Sequence, residues 1–355
     1  MSDVLGLPDR PQRRGGPALP TVPLATRRVA LVAAAMLAAG VLAVRHHQGD
    51  VSAPPALLVA AAQLARVDVA GHAEAVALPG TGDPARLLRL PHATVLLTRP
   101  AGRIDGGQAL LLRDGDDALR VLGPADTLAP DSRDDRVWLV RRTGDRQSLT
   151  AYDASGSRRG RRGVTNSHDL FLVTPQGVLD DEVEMPGGST PTLRDDAGRV
   201  LRRLPGPVTV LDTGGPRVLA TQGNCLQGCS VVAWDVRDGS SRVAPLDAGL
   251  AVLDGALSAD GRSVALAARS GTAGDDPVGS TGQAVLLRGS LDGGEPLTRT
   301  VRGGCTLLAC HVAFSGTTVW ASVDRTPGRL VRWRAGEDPR PITLQVPDVE
   351  DLAGL

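Results

Sequence analysis

The chain has 355 residues, and its 39 basic and 39 acidic residues cancel to no formal net charge. Every basic residue is arginine, which excludes a P-loop lysine, a Schiff-base lysine and a lysine general base. Balanced charge and only 4 Trp, 2 Phe and 1 Tyr argue against a nucleic-acid binder, which must neutralise phosphates and stack bases, while 42% apolar residues suffice for a large core.

Residues 1–26 are rich in Pro, Gly and Arg without any period and read as a disordered cytoplasmic tail. Arg27 and Arg28 precede an uncharged apolar run at 29–44, and Arg45-His46-His47 follow it. As a helix the run would span about 24 Å, slightly short for a bilayer, with Arg27, Arg28 and Arg45 able to snorkel to the interface. Residues 27–46 are therefore predicted to be a single transmembrane helix. Arg10, Arg13, Arg14, Arg27 and Arg28 lie before it, against Arg45 and Asp50 after it. That bias puts the N-terminus in the cytoplasm and the rest outside, as a single-pass protein of the cell membrane. A cleaved signal peptide ending near Val41-Leu42-Ala43 is the alternative, and it too exports the larger part.

Four cysteines form two close pairs, Cys225 with Cys229 and Cys305 with Cys310. In an oxidising compartment these read as disulfides, with local pairing the simplest of the three connectivities. A zinc site would favour a cytosolic context and C-x2-C spacing.

Residues 47–84 read as a linker and lead-in, in which 56–67 (ALLVAAAQLARV) suits a short helix or strand. From residue 85 short Val- and Leu-rich runs alternate with Gly, Asp, Pro and Ser, the pattern of many short strands. A strand, a polar turn and a second strand recur six times, starting at Ala109, Leu149, Thr192, Val231, Ala284 and Arg329. With Asp114, Asp153, Asp195, Asp235, Gly289 and Ala335 taken as equivalent, the intervals are 39, 42, 40, 54 and 46. Another apolar strand precedes each unit, and a third, shorter one precedes all but the run at Asp169. Four strands per 40–50 residues is the signature of a β-propeller. The expected fold is all-β: a six-bladed β-propeller over 85–346 with a tail at 347–355. A seven-bladed alternative would recruit residues 66–78.

The segment 257–265 (LSADGRSVA) resembles the F-S-P-D-G-x-x-I-A signature of TolB-type and WD-repeat-like propellers, with Ala259 where Pro is usual. Asp260-Gly261 suits the hairpin turn that this signature makes between the first two strands of a blade. The run 231–235 (VVAWD) is similar to the Trp-Asp strand end of WD repeats through Trp234 and Asp235, and 128–131 (LAPD) ahead of 136–138 (RVW) is a looser version. The resemblance implies a propeller serving as an interaction scaffold or, less often, a hydrolase, and a TolB-like role as accessory to a membrane complex. On that fold Cys225 and Cys229 fall between strands two and three of the fourth unit, and Cys305 and Cys310 between the fifth and sixth units. Both pairs then decorate one face.

No G-x-S-x-G elbow or H-E-x-x-H is present, and the six histidines lack metal spacing. Gly80 to Ala85 superficially fits a G-x-G-x-x-A loop but opens no helix. Acidic clusters at 114–117, 131–135, 180–182 and 275–276 lack the spaced ligands of a calcium loop and read as turns. No catalytic residue, metal or cofactor is predicted. Arg158, Arg159, Arg161 and Arg162 form the one basic run, expected in a hairpin turn, and are the candidate patch for an acidic partner or anionic lipid; a solvated loop is the plainer reading. All seven aromatics fall in repeat strands, leaving none in loops to stack a sugar or a base. The expected function is that of a membrane-anchored, extracytoplasmic, non-catalytic module that binds a protein partner and no nucleic acid. The alternative is an exported hydrolase or lyase acting in the central channel, which polar residues converging at the channel mouth would mark.

Overall fold

The computed structural model describes residues 55–354 apart from 62, 81, 101–105, 166–168, 185–187, 207, 224, 226–227, 271–281, 293–296, 306–309, 323–328, 344–348 and 350. The predicted cytoplasmic tail and the anchor at 27–46 lie outside the described residues. Among the described residues, no helix is long and apolar enough to cross a membrane.

Every described element is a strand. The chain begins with β1 (Pro55–Ala60), β2 (Leu64–Asp68) and β3 (Ala73–Val76). Blade 2 follows as β4 (Asp83–Leu90), β5 (Ala93–Arg99), β6 (Gly107–Arg113) and β7 (Arg120–Ala125). Blade 3 comprises β8 (Thr127–Pro130), β9 (Arg136–Thr143), β10 (Arg146–Asp153) and β11 (Arg158–Thr165), and blade 4 comprises β12 (Leu170–Val173), β13 (Val178–Glu184), β14 (Gly188–Arg194) and β15 (Val200–Arg203). Blade 5 is β16 (Val208–Gly214), β17 (Arg217–Gln222), β18 (Cys229–Asp235) and β19 (Ser241–Leu246). Blade 6 is β20 (Leu250–Leu257), β21 (Ser263–Ser270), β22 (Gly282–Ser290) and β23 (Thr298–Cys305). Blade 7 is β24 (His311–Ser315), β25 (Thr318–Ser322), β26 (Arg329–Trp333) and β27 (Arg340–Thr343), and β28 (Asp351–Gly354) ends the series.

All six repeat units read from the sequence form four-stranded antiparallel blades, numbered 2 to 7. Hydrogen bonding joins the strands into six sheets, five of four strands and one of eight. The eight-stranded sheet is blades 4 and 5, which are linked by the single Ser189–Val208 pairing between β14 and β16. One further blade comes from the flanks: β28 pairs with β1 (Leu58 opposite Ala353, Val59 opposite Leu352), and β1, β2 and β3 complete the sheet. This blade 1 corrects the assignment of 47–84 as linker and 347–355 as tail, and brings the wheel to seven four-stranded units, including the stretch 66–78. The apolar core agrees, because it falls into seven clusters, each packed between two successive blades around the ring.

The unit near Asp169 also changes. Its run LFLV is the first strand, β12, and the missing second strand is the acidic β13. Asp180 of β13 is fully buried and accepts a hydrogen bond from Arg194 Nε on β14 at 2.9 Å, which lets a carboxylate occupy a strand facing the core. The cluster at 180–182 is therefore strand, not turn.

Turns between the third and fourth strands carry a recurrent cap. Asp153 accepts from the Ser155 and Ser157 N–H groups, Asp195 from Ala197 and Arg199, and Asp68 of blade 1 from Ala70 and His72, all at 2.8–3.0 Å. Each is followed three residues later by a glycine at positive φ: Gly156, Gly198 and Gly71. Burial by itself would raise the Asp153 carboxyl, but hydrogen bonds from Ser155, Ser157 and Arg159 outweigh it and hold the pKa at about 2. A depressed folded pKa stabilises above the unfolded value near 3.8, and this is lost as pH falls through about 2. Asp153→Ala is expected to cost about 1 kcal/mol at pH 7, the scale of a lost cap at a partly solvated turn, with the cost shrinking toward pH 2. Denaturant midpoints at pH 7 and pH 2.5 check this; an equal loss at both would refute the role of the charge.

Candidate functional site

The first strands β4, β8, β12, β16, β20, β24 and β28 stand innermost, where most of them touch their ring neighbours. They surround a channel whose cavity measures about 540 Å³ and is lined by Arg86, Asp134, Asp212, Asp254, Phe314 and Asp351 among others. The lining residues cluster where first strands turn into second strands, at Pro91, Gly214, Ala259 and Gly316, so the cavity lies toward that end of the channel.

Three channel aspartates make the same contact with the neighbouring blade. Asp212 accepts from the N–H of Leu257 at 3.0 Å, Asp254 from Val312 at 2.8 Å, and Asp351 from Leu87 at 2.7 Å. The second oxygen of each accepts from the next residue's own N–H, that of Thr213, Gly255 or Leu352, at 2.7–2.9 Å. These carboxylates therefore stitch blade 5 to blade 6, blade 6 to blade 7 and blade 1 to blade 2. In β16 and β20 a register shift just before the aspartate, between Val210 and Asp212 and between Val252 and Asp254, bends the strand there. Arg86 follows the same kind of shift in β4. It donates to Thr127 Oγ1 at 3.3 Å and has no ion pair among the described residues.

Electrostatics reflect the enclosure. Burial pushes Asp254 well above the usual carboxylate range, with the charges of Asp351 and Asp212 adding to it against the N–H groups of Val312 and Gly255. Asp212 and Asp351 are raised by burial too, with Arg86 and the N–H donors opposing. Although the Asp254 side chain keeps 25% exposure to the channel space, protein encloses that space, so the charged form is poorly solvated. His311 Nδ1 lies 3.7 Å from Asp254 Oδ2, beyond hydrogen-bond range, and its Nε2 is buried without a hydrogen-bond partner among the described residues. At the mouth, Asp134 accepts from the Gly215 N–H at 2.5 Å.

None of these residues stands out by a catalytic motif. The signal that could have found two of them is Val-Leu-Asp, at 210–212 and again at 252–254 in equivalent strands. Among the described residues, no group of three or more His, Cys, Asp or Glu could hold a metal ion.

The residues singled out in the sequence lie elsewhere. Cys225 and Cys229 form a disulfide in the connection between the second and third strands of blade 5. Cys310 is disulfide-bonded just ahead of β24, while Cys305 ends β23 and its side chain lies outside the described residues. Such connections share the face opposite the cavity. Asp260 accepts from the Ser258 hydroxyl and the Arg262 N–H, with Gly261 at φ +63°, in the turn between β20 and β21. Trp234 is buried between blades 4 and 5, and Asp235 caps its turn by accepting from the Arg237 N–H. Both are structural. The basic run is not in a turn: Arg158, Arg159, Arg161 and Arg162 lie along β11, the outer edge of blade 3.

No protein-family model matches the chain, and no curated protein matches its sequence. Similarity appears in solved structures. A protein named as a 6-phosphogluconolactonase, from Bacteroides fragilis, superposes with a TM-score of 0.51 at 10% identity, covering 86% of this chain and 99% of that one. TolB from Acinetobacter baumannii gives 0.46 at 14% identity over 86% of this chain and 67% of that one. The β-propeller domain of Myceliophteria thermophila Cps50 (Swd1) gives 0.47 at 14% identity, covering 78% and 91%. The superposition on the Bacteroides fragilis protein, together with the ring of four-stranded sheets, shows that the chain has a β-propeller fold.

Proposed function

We propose that this protein is a membrane-anchored, extracytoplasmic β-propeller that binds a protein partner without catalysis. The observation supporting it most is that both oxygens of Asp212, Asp254 and Asp351 are engaged by backbone N–H groups of two successive innermost strands. Carboxylates committed to holding blades together are poorly placed to serve a substrate. The Cys225–Cys229 disulfide accords with an oxidising compartment, and the arginine-flanked run at 29–44 with an anchor. The full chain is expected to stay with membranes through alkaline carbonate extraction, and cross-linking in native envelope to join it to a discrete protein. Release into the supernatant would refute the anchor, and the lack of any cross-linked protein would refute the binding role.

A second reading, a hydrolase or lyase acting in the channel, draws on the raised pKa of Asp254 beside His311 at the edge of a 540 Å³ cavity. It requires Asp254→Asn to abolish turnover of an ester, lactone or glycoside substrate. The binding role instead requires that variant to form the same cross-link as the wild type.

A further inference from the structure

Cross-strand register in blade 3 sorts its arginines onto two faces. Across β9, β10 and β11, Leu139 lies opposite Thr150 and Arg161, Arg141 opposite Ser148 and Gly163, and Thr143 opposite Arg146 and Thr165. Strand alternation therefore puts Arg141, Arg146 and Arg161 on one face. At the end of the blade nearer the turn between β8 and β9 this face packs on blade 2 through Val137, Leu139 and Tyr152, while Arg141, Arg146, Ser148, Arg161 and Gly163 are exposed. Arg142 and Arg162 stand on the opposite face, paired with Asp169 and Asp196, while Arg159 pairs with Asp153.

The three arginines that share this face are exposed and make no ion pair or hydrogen bond among the described residues. Other arginines of the chain are matched to carboxylates, as at Arg66, Arg89, Arg136, Arg194, Arg199 and Arg237. Like charges left together without counter-ions repel, so three such arginines on one face form a concentration of unneutralised positive charge. Between them lie the hydroxyls of Ser148 and Thr150, and nothing stands within 4 Å of where a Gly163 side chain would begin. From strand spacing and rise, the Cα atoms of Arg141 and Arg146 are roughly 8 Å apart, those of Arg141 and Arg161 roughly 12 Å, and those of Arg146 and Arg161 roughly 14 Å.

We propose that this face of blade 3 docks an acidic, extended segment of a protein partner, its carboxylates engaged by Arg141, Arg146 and Arg161. Alternate residues of an extended chain project on one side about 6.8 Å apart, so acids two and four positions apart come within reach of these guanidinium groups. The guanidinium fork takes a carboxylate through two parallel N–H donors, which an ammonium group does not. The proposal rests on the reading of the protein as a protein-binding module and names the surface that module uses.

The test is fluorescence anisotropy of the full chain in non-ionic detergent, with a labelled octapeptide of alternating glutamate and serine. Binding is expected to be saturable and at least tenfold weaker in the triple variant R141S/R146S/R161S. It should be severalfold weaker in R141K/R146K/R161K, which keeps the charge and loses the fork, and unchanged in R237S on blade 5. Unchanged thermal midpoints show that all variants are folded. Equal binding by the serine variant, or by the lysine variant, would overturn the proposal. So would phosphatidylglycerol vesicles that bind through the same three arginines while the peptide does not, because the surface would then belong to a lipid. A wild-type chain that ignores the peptide, with its envelope cross-link intact in the triple serine variant, would overturn this surface and leave the binding role standing.

Discussion

Deleting residues 351–355 is expected to prevent the propeller from folding as a soluble monomer. The segment is short and sits at the chain end, but β28 is the innermost strand of blade 1 and closes the ring. Its removal takes away the buried Leu352 and Ala353 and strips cover from Leu58, Val59 and Ala60, which are at most 1% exposed. It also removes the β1–β28 ladder and the Asp351 hydrogen bond to blade 2. At about 25 cal/mol per Å² of apolar surface and about 1 kcal/mol per hydrogen bond, the loss is on the order of 5–10 kcal/mol. That is comparable with the whole stability of a typical domain, about 5–15 kcal/mol. The open edge of β1 would then offer a template for aggregation. Size-exclusion chromatography and circular dichroism of the truncated chain are the check. A soluble monomer with an unchanged thermal midpoint would return 351–355 to the status of a tail and refute closure through β28.

The second large effect concerns Asp254. Asp254→Ala leaves the N–H groups of Val312 and Gly255 without their acceptor, and at about 1–3 kcal/mol per unsatisfied donor the expected loss is about 2–6 kcal/mol. Asp254→Asn keeps one acceptor oxygen and removes a charge that burial disfavours, so at pH 7 it is expected within about 1 kcal/mol of the wild type. The pH dependence separates the two contributions. Because the folded pKa is raised, the stability linked to protonation is fully present below the unfolded value near 3.8 and is lost as pH rises through the folded value. The wild type should therefore gain on the asparagine variant as pH falls from 7 toward 4. Urea unfolding of both proteins across that range measures it, and a constant difference would show that the carboxyl is not held above its ordinary range. The turn aspartates act oppositely, since the depressed Asp153 loses its contribution only as pH falls toward 2.

How much of this was legible in the sequence varies with the range of the interaction. The six repeat units could be read because strand, turn and strand recur locally, and their Asp-capped turns use atoms within four residues of each other. The seventh unit carried the same local mark: Asp68-Val69-Ala70-Gly71 matches Asp195-Asp196-Ala197-Gly198, and Asp68 precedes Asp114 by 46 residues, within the repeat interval. The sequence offered it only as the seven-bladed alternative recruiting 66–78, because its innermost strand is four residues long and comes from the opposite end of the chain. Strand β13 escaped because Asp180 imitates a turn residue, and only its buried pairing with Arg194 explains it. At the candidate site, Asp212 and Asp254 sat in strands that the repeat revealed. Their role could not be read, because each acts on a backbone N–H 45 or 58 residues away.

By itself, the sequence determined the all-β repeat architecture, the placement of the seven aromatics in strands and the Asp-Gly turns, all of which depend on periodicity or on neighbours along the chain. The tertiary structure alone decided ring closure, the convergence of Asp212, Asp254 and Asp351 on one channel, and the regrouping of the arginines. The run at 158–162 looked like one patch because adjacent letters are adjacent in a string. In a strand successive side chains point to opposite faces, so Arg162 turns to Asp196, while Arg161 joins Arg141 and Arg146 from two neighbouring strands.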